Sequence, residues 1–206
     1  MKSDDGGATW NDVSPPLPPD PPLEDFQPVA GLAVAPSDPG VLYLLQGAGW
    51  RSDDAGANWM PLAIPGDAFG SGSGFDALAV DAGSPSRVYS SDGHQVFRSL
   101  DSGSTWQATP LSGDIRQLLT DPTVADVVVA RSETEVFVSS DGGTTWRALP
   151  PIGVTIDDLA VGGGEIYAAT GMGVFTFHDV RVIPSAPDQP APATRRLAAG
   201  PSAGER

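Results

Sequence analysis

The sequence predicts an all-β fold, a β-propeller of four-stranded antiparallel blades, with about four blades visible in 206 residues. A box of the form S-x-D-x-G-x-T-W occurs four times, and its closing tryptophans, Trp10, Trp59, Trp106 and Trp146, lie 49, 47 and 40 residues apart. Short β-branched and aromatic segments lie between the boxes, and 25 glycines and 21 prolines interrupt any long helix. A helix-free repeat of roughly 40–50 residues is the spacing of propeller blades.

Each repeat contains four strand segments, which together make one blade. The first strand is predicted at 31–36, 77–82, 117–122 and 158–163. The second is predicted at 41–45, 87–91, 127–131 and 165–169, and the third at 49–52, 96–99, 136–139 and 174–177. A fourth strand leaves each box. The members are short and bounded by Gly, Pro, Asp and Ser, as strands of a small repeat are.

The predicted domain organisation follows from these repeats. Residues 1–13 hold a strand and a box of an incomplete or closing blade, and 14–28 form a proline-rich connector. Four blades occupy 29–184, the last without a box, and the Pro/Ala-rich segment 185–206 is predicted to be disordered. Two architectures fit this pattern. Either the N-terminal strand completes the last blade and closes a four-bladed ring, or the chain is part of a larger propeller completed by further blades or a second copy. The second is favoured, because open sheet edges attract partners.

The box is predicted to be a structural turn between the third and fourth strands. Its Asp accepts backbone N–H groups, its Gly takes a positive φ, its Ser and Thr tie the strand ends together, and its Trp covers the turn. A Ca²⁺ or sugar site at each box is the alternative, but each box alone offers too few oxygen ligands. The structural box residues are Ser3, Asp5, Gly7, Thr9, Trp10, Ser52, Asp54, Gly56, Trp59, Ser99, Asp101, Gly103, Thr105, Trp106, Ser139, Asp141, Gly143, Thr145 and Trp146, with Asn58 replacing Thr in the second box.

Composition limits the classes of partner. The chain has 26 acidic and 11 basic residues, a net charge of −15, which repels nucleic acid and anionic membranes. There is no cysteine, no apolar run long enough to span a membrane, and no signal peptide at the start of this chain. Neither of the two histidines has metal-ligand spacing, so no metal or cofactor is expected.

The four boxes resemble the Asp-box, or BNR, repeat, and the likeness extends over about residues 1–180. This superfamily includes sialidases, xyloglucanase-type glycoside hydrolases, sortilin-like receptors and photosystem II assembly factors. LAVAPSDPGVLY followed by RSDDAGANW is most similar to the xyloglucanase, sortilin and assembly-factor branch. The resemblance implies a propeller whose boxes are peripheral and not catalytic. Sialidase chemistry is not expected, because the Arg-Ile-Pro motif is missing from this sequence.

A candidate site lies where the first strands begin, at the mouth of the predicted central channel. One column of equivalent positions reads Ala30, Asp76, Arg116, Asp157, and the next reads Gly31, Ala77, Gln117, Asp158. Asp76 and Asp157 are the candidate catalytic pair, since two facing carboxylates supply the acid and the base or nucleophile of glycoside hydrolysis. Arg116, Asp158 and Gln117 are candidate ligand-binding residues. The favoured alternative is that Asp76 and Asp157 only pair with Arg116 in a solvated channel.

The sequence therefore favours a non-catalytic scaffold or binding module of an exported bacterial protein, extracellular or in the cell envelope. The alternative is a glycoside hydrolase, sialidase- or xyloglucanase-like, or a fragment of one. The expected partners are carbohydrate or protein, with self-association as a way to complete a propeller. The loop at 66–75 is the one insertion predicted to cover a ligand.

Overall fold

The computed structural model describes residues 1–15, 29–46, 48–63 and 77–178, together with the backbone of 195–196. Within these ranges the chain forms strands and turns without any helix, and the strands make four separate antiparallel sheets of four strands each. The fold class predicted from the sequence is confirmed. No helix in the described part is long and apolar enough to cross a membrane.

Each sheet is a meander in which the strands lie in chain order, and we number the sheets as blades 1 to 4. Blade 1 contains β1 (Gly31–Ala35), β2 (Asp38–Gln46), β3 (Ala48–Ser52) and β4 (Met60–Pro61). Blade 2 contains β5 (Ala77–Val80), β6 (Val88–Ser91), β7 (Gln95–Ser99) and β8 (Gln107–Ser112). Blade 3 contains β9 (Gln117–Thr120), β10 (Val128–Arg131), β11 (Val136–Ser139) and β12 (Arg147–Ala148). Blade 4 contains β13 (Ile156–Gly162), β14 (Glu165–Thr170), β15 (Gly173–Phe177) and β16 (Arg195–Arg196).

The first two strands keep one register in every blade. Ala33 lies opposite Tyr43 in blade 1, as Ala79 lies opposite Tyr89 in blade 2. Because side chains alternate along a strand, each blade has two faces. The equivalent pairs are Leu119 and Val129 in blade 3 and Ala160 and Tyr167 in blade 4. We call the face that carries this pair the trailing face, and the other, which carries Leu32, Leu78, Leu118 and Leu159, the leading face.

The core consists of layers between successive blades. The trailing face of blade 1, with Ala35 and Tyr43, packs on Val80 and Val88 of the leading face of blade 2. The trailing face of blade 2 packs in the same way on blade 3, and blade 3 packs on blade 4. Burial of each aliphatic side chain in such a layer contributes about 1.5–3 kcal/mol. The stability of a blade therefore depends on its neighbours.

The inner strands pack in the series β1, β5, β9, β13. Within the described ranges, β13 does not pack back onto β1 in this way. The closed four-bladed ring stays a prediction. The N-terminal strand does not complete blade 4, because Lys2 pairs with Asn11 and β15 pairs with β16. The larger propeller stays a prediction.

Residues 1–11 form a hairpin that we call the N-terminal hairpin. Lys2 and Asn11 exchange two backbone hydrogen bonds of 2.8 Å around the first box. The chain then passes over blade 1, where the Trp59 indole N–H donates to the Val13 carbonyl at 2.7 Å. The predicted proline-rich connector begins here, and residues 16–28 lie outside the described residues.

The C-terminal segment differs from its prediction at one point. Residues 185–206 are predicted to be disordered, but Arg195 and Arg196 pair with β15 as the fourth strand of blade 4. Composition cannot predict this pairing, because the unpaired edge of β15 offers backbone hydrogen bonds to almost any sequence. The rest of the predicted tail lies outside the described residues.

Candidate functional site

The four boxes share one hydrogen-bond pattern. In the last box Ser139 Oγ donates to Asp141 Oδ1 at 2.8 Å, and Thr145 donates to the same carboxylate from its backbone N–H at 2.8 Å and from its hydroxyl at 2.6 Å. The Gly143 N–H donates to Ser139 Oγ at 2.8 Å. In the second box Asn58 replaces Thr and donates from Nδ2 at 2.7 Å. Each Asp thus accepts hydrogen bonds from its own turn, as the predicted structural role requires.

These hydrogen bonds keep the box carboxylates ionised. The hydroxyl of Thr105, its backbone N–H and the hydroxyl of Ser99 lower the pKa of Asp101 to about 2. The equivalent groups of Thr9 and Ser3 lower the pKa of Asp5 to about 2. A carboxylate that accepts several hydrogen bonds in this way has little capacity left for a cation. The described ranges contain no group of three or more His, Asp or Glu that could hold a metal ion.

The box glycine and tryptophan link neighbouring blades. Gly143 has φ +80°, and a Cβ on it would lie 3.4 Å from Thr109 of blade 2. Trp146 packs on the layer between blades 2 and 3, and Trp106 on the layer between blades 1 and 2. The tryptophans thus extend the inter-blade core, beyond the predicted covering of the turn. Trp10 has no such layer and is 59 % exposed.

The predicted channel residues separate into two groups. Arg116 pairs with Asp114 through Nε at 3.0 Å and with Glu133 through NH2 at 3.0 Å. The predicted ion pair between Arg116 and Asp157 is absent from the described contacts. The Arg116 guanidinium instead forms its ion pairs with Asp114 and Glu133. The Asp157 side chain is exposed and makes no hydrogen bond or ion pair within the described ranges. Asp76 and the predicted loop at 66–75 lie outside the described residues.

Gln117 and Asp158 belong to a hydrogen-bonded link between blades 3 and 4. Gln117 Nε2 donates to Asp158 Oδ1 at 2.8 Å, and its Oε1 accepts the Leu159 N–H at 3.1 Å. Arg131, which the sequence analysis did not single out, donates from Nε to Gln117 Oε1 at 2.8 Å. The same guanidinium donates to the backbone carbonyls of Ile156 and Asp157 at 2.9 and 2.8 Å. The sequence feature that could have pointed to Arg131 is its position as a charged residue at the end of the apolar strand VVVAR.

Two buried aspartates also join blades, and sequence reasoning missed both. Asp81 is 1 % exposed and accepts the N–H of Asp126 in blade 3 at 2.7 Å. Asp121 is fully buried and accepts the N–H of Gly164 in blade 4 at 2.6 Å. Burial raises the pKa of Asp121, but hydrogen bonds from Thr123, Gly164 and Val124 outweigh it, so the pKa lies below its ordinary value. The signal was an Asp that directly follows the first strand in two blades.

The other candidate site is a groove on the leading face of blade 1. Leu32 is 61 % exposed, whereas its equivalent in blade 3, Leu118, is 3 % exposed. Val34 is 51 % exposed, whereas its equivalent in blade 2, Val80, is 2 % exposed. The groove has a volume of about 390 Å³. We call it the leading groove; it lies between the N-terminal hairpin and blade 1, and its lining includes Met1, Lys2, Val13, Leu32, Val34 and Leu42. The exposed apolar side chains of this face thus contrast with the equivalent side chains of blades 2 to 4, which are buried or half-buried.

Comparison with known proteins gives matches among solved structures. A GH74 enzyme from Niastella koreensis matches with a TM-score of 0.59 and 18% identity, over 72% of this chain and 22% of that one. YCF48 bound to D1 peptide matches with a TM-score of 0.57 and 17% identity, over 81% of this chain and 58% of that one. The nidogen/laminin complex matches with a TM-score of 0.58 and 15% identity, over 74% and 61%.

The chain has the β-propeller fold. The propeller spans less than two thirds of each of these three structures. No protein-family model and no curated protein sequence matches the chain. At identities of 15–18% the likeness shows the fold alone. The function of a site in this chain therefore has to be argued from its own residues.

Proposed function

We propose that this propeller is a non-catalytic Asp-box module that binds a protein or peptide, within a protein exported to the cell envelope or the extracellular space. The exposed leading face of blade 1 carries the proposal. Leu32 and Val34 lie beside Lys2 and Val13 in a groove large enough for side chains of a partner. Contiguous exposed apolar surface of this kind marks protein interaction sites. The Asp-box assignment is supported by the shared hydrogen bonds of the four boxes.

Two neighbours in the comparison are consistent with a protein partner. YCF48 is seen with a D1 peptide, and nidogen is seen in complex with laminin. These two structures are consistent with the protein or peptide partner that we propose for this chain.

The alternative of a glycoside hydrolase has less support. It draws on the likeness to GH74 enzymes, which at 18% identity concerns the fold. Of its proposed residues, Arg116 is neutralised by two acids and Asp158 is hydrogen-bonded to Gln117. Among the described candidates, Asp157 has an exposed carboxylate that makes no described hydrogen bond or ion pair, and hydrolysis needs a second such group.

A paired experiment separates the two functions. A phage-displayed library of random peptides is selected on the immobilised chain, and the chain is incubated with xyloglucan while reducing ends are measured. We expect peptides to be enriched and xyloglucan to stay intact. The proposal fails if no peptide is enriched. Turnover of xyloglucan that Asp157→Asn abolishes would instead establish the hydrolase.

A further inference from the structure

The buried carboxylate of Asp121 serves two blades with different oxygens. Its Oδ1 accepts the N–H of Thr123 in the turn of blade 3 at 2.8 Å and the Thr123 hydroxyl at 2.7 Å. Its Oδ2 accepts the N–H of Gly164 in blade 4 at 2.6 Å. One oxygen therefore stabilises the turn, and the other holds the next blade.

Asp81 divides its oxygens in the same way between blades 2 and 3. Its Oδ1 accepts the Gly83 N–H of its own turn at 2.9 Å, and its Oδ2 accepts the Asp126 N–H of blade 3 at 2.7 Å. Asp81 and Asp121 each follow the first strand of their blade directly, and both are buried. The repeat thus places a buried carboxylate at two successive junctions between blades.

The junction between blades 1 and 2 is built differently. The position equivalent to Asp81 is Ala35, which is buried and packs in one layer with Val80. A polar contact across this junction is the hydrogen bond from the Tyr43 hydroxyl to the Pro85 carbonyl, at 2.7 Å. Within the described ranges no buried carboxylate joins these two blades. The contacts across this junction therefore do not depend on a buried group that titrates in acid.

We propose that Asp81 and Asp121 are acid-sensitive links, so that acid separates blade 3 from blade 2 and blade 4 from blade 3, while blades 1 and 2 stay packed together. A carboxylate only accepts hydrogen bonds, whereas a protonated carboxyl group is neutral and carries a donor of its own. Hydrogen bonds to a charged acceptor are roughly twice as strong as those between neutral groups. Protonation therefore leaves a buried N–H of the next blade with a weaker acceptor, which loosens the junction. This response is independent of the proposed binding function.

The charged groups that face the two aspartates differ. Arg87 lies near Asp81, with NH1 3.9 Å from Oδ1, and it also pairs with Asp126. Tyr89 packs in the layer of the same junction. The described hydrogen-bond partners of Asp121 are all uncharged groups. The junction between blades 3 and 4 is therefore the better place to test the proposal, since no described cation pairs with its carboxylate.

The hydrogen bonds of Asp121 set the pH range of the response. Burial raises the pKa of Asp121, but hydrogen bonds from Thr123, Gly164 and Val124 outweigh it, so the pKa lies below its ordinary value. On the blade 4 side Glu165 follows Gly164 in the chain, and its carboxylate contacts the His178 ring. An unfolded Asp titrates near about 3.9. Because the folded pKa is the lower one, the link is intact above about pH 5 and weakens as pH falls below about 4.

Hydrogen–deuterium exchange of the full chain, read by mass spectrometry, measures opening blade by blade. Asp121→Asn is the decisive variant, because the amide has the shape of the protonated acid and a single acceptor oxygen. At about pH 7 we expect the amides of β13 and β14 to exchange at least about tenfold faster, and those of β1 and β2 to stay within about twofold. Asp114→Asn is the matched control, since it removes the same charge from an exposed carboxylate beside Arg116. It should leave the exchange of all four strands unchanged.

The wild-type chain provides the pH test, with rates corrected for the intrinsic effect of pH on exchange. Between about pH 7 and about pH 3, the exchange of β13 and β14 should rise more than that of β1 and β2. In Asp121→Asn the rise at β13 and β14 should be smaller, because residue 121 no longer titrates.

Two results would overturn the inference. Equal acceleration of exchange in all blades, by acid or by Asp121→Asn, would show that the blades open together. Unchanged exchange of β13 and β14 in Asp121→Asn would show that the carboxylate does not hold blade 4. A thermal melt establishes whether the variant is folded, and if it is not, the comparison of β13 and β14 with β1 and β2 in the wild type decides. Neither result bears on peptide binding, which the library selection tests separately.

Discussion

The backbone N–H of Gly164 in blade 4 donates a 2.6 Å hydrogen bond to the buried carboxylate of Asp121 in blade 3. The two residues are 43 positions apart in the chain. The same carboxylate accepts the N–H and the hydroxyl of Thr123 in its own turn. One buried side chain therefore fixes both the turn after a strand and the position of the next blade.

Asp121→Ala is expected to lower the free energy of unfolding by about 2–3 kcal/mol, because buried N–H donors would lose their charged acceptor. Urea denaturation at pH 7 measures the change. Asp114→Ala is the matched control; its carboxylate lies on the surface beside Arg116, so its loss should be below about 1 kcal/mol. Equal effects of the two substitutions would contradict the proposed link between blades 3 and 4.

The box carboxylates make stability dependent on pH. The pKa of Asp101 and of Asp5 is about 2 in the folded chain, and the pKa of Asp54 is also lowered, chiefly by hydrogen bonds from Asn58. An unfolded Asp titrates near about 3.9. Because the folded pKa is the lower one, the stabilisation is complete above about pH 4–5 and is lost as pH falls towards 2.

The urea midpoint should therefore fall steeply between about pH 4 and pH 2. Asp101→Asn should be less stable than the wild type at pH 7 and should show a smaller fall below pH 4. A variant whose midpoint runs parallel to that of the wild type throughout this range would show that Asp101 does not contribute to the acid sensitivity.

The second box predicts which substitutions the others tolerate. Asn58 and Thr145 both donate to the far oxygen of their box Asp, at 2.7 and 2.6 Å. Thr145→Val keeps the shape but removes the donor, and should cost about 1 kcal/mol in urea denaturation. Thr145→Asn should cost less, because the amide can replace the hydroxyl. The reverse order of the two variants would mean that side-chain shape, and not the hydrogen bond, stabilises the turn.

Two adjacent channel residues should differ in their effect on stability. Gln117→Ala removes the acceptor of Arg131 and the donor to Asp158 in the next blade, and should cost about 1–2 kcal/mol. Arg116→Ala removes only exposed ion pairs and should cost below about 1 kcal/mol. Thermal melts of the two variants, measured side by side, give the comparison. A larger loss for Arg116→Ala would refute this assignment of roles.

The sequence by itself determined the elements of this protein. The hydrogen bonds of a box join residues that lie within eight positions of one another in the sequence. Asp141, Gly143 and Thr145 therefore make the same kind of hydrogen bonds as the equivalent residues of the other boxes. The strand columns follow from alternation, and the tyrosines that recur in one column, Tyr43 and Tyr89, both pair with an alanine of the first strand. Local geometry decides each of these features, and local geometry can be read from spacing.

Only the tertiary structure decided which residues meet between blades. Arg116 is one position from Gln117, yet it pairs within blade 3 while Gln117 reaches Asp158 in blade 4. The buried role of Asp121 and the open leading face of blade 1 also depend on how one sheet is placed on the next. Contacts between blades join residues about 40 positions apart, and they depend on the distance and twist between two sheets, which no single repeat encodes.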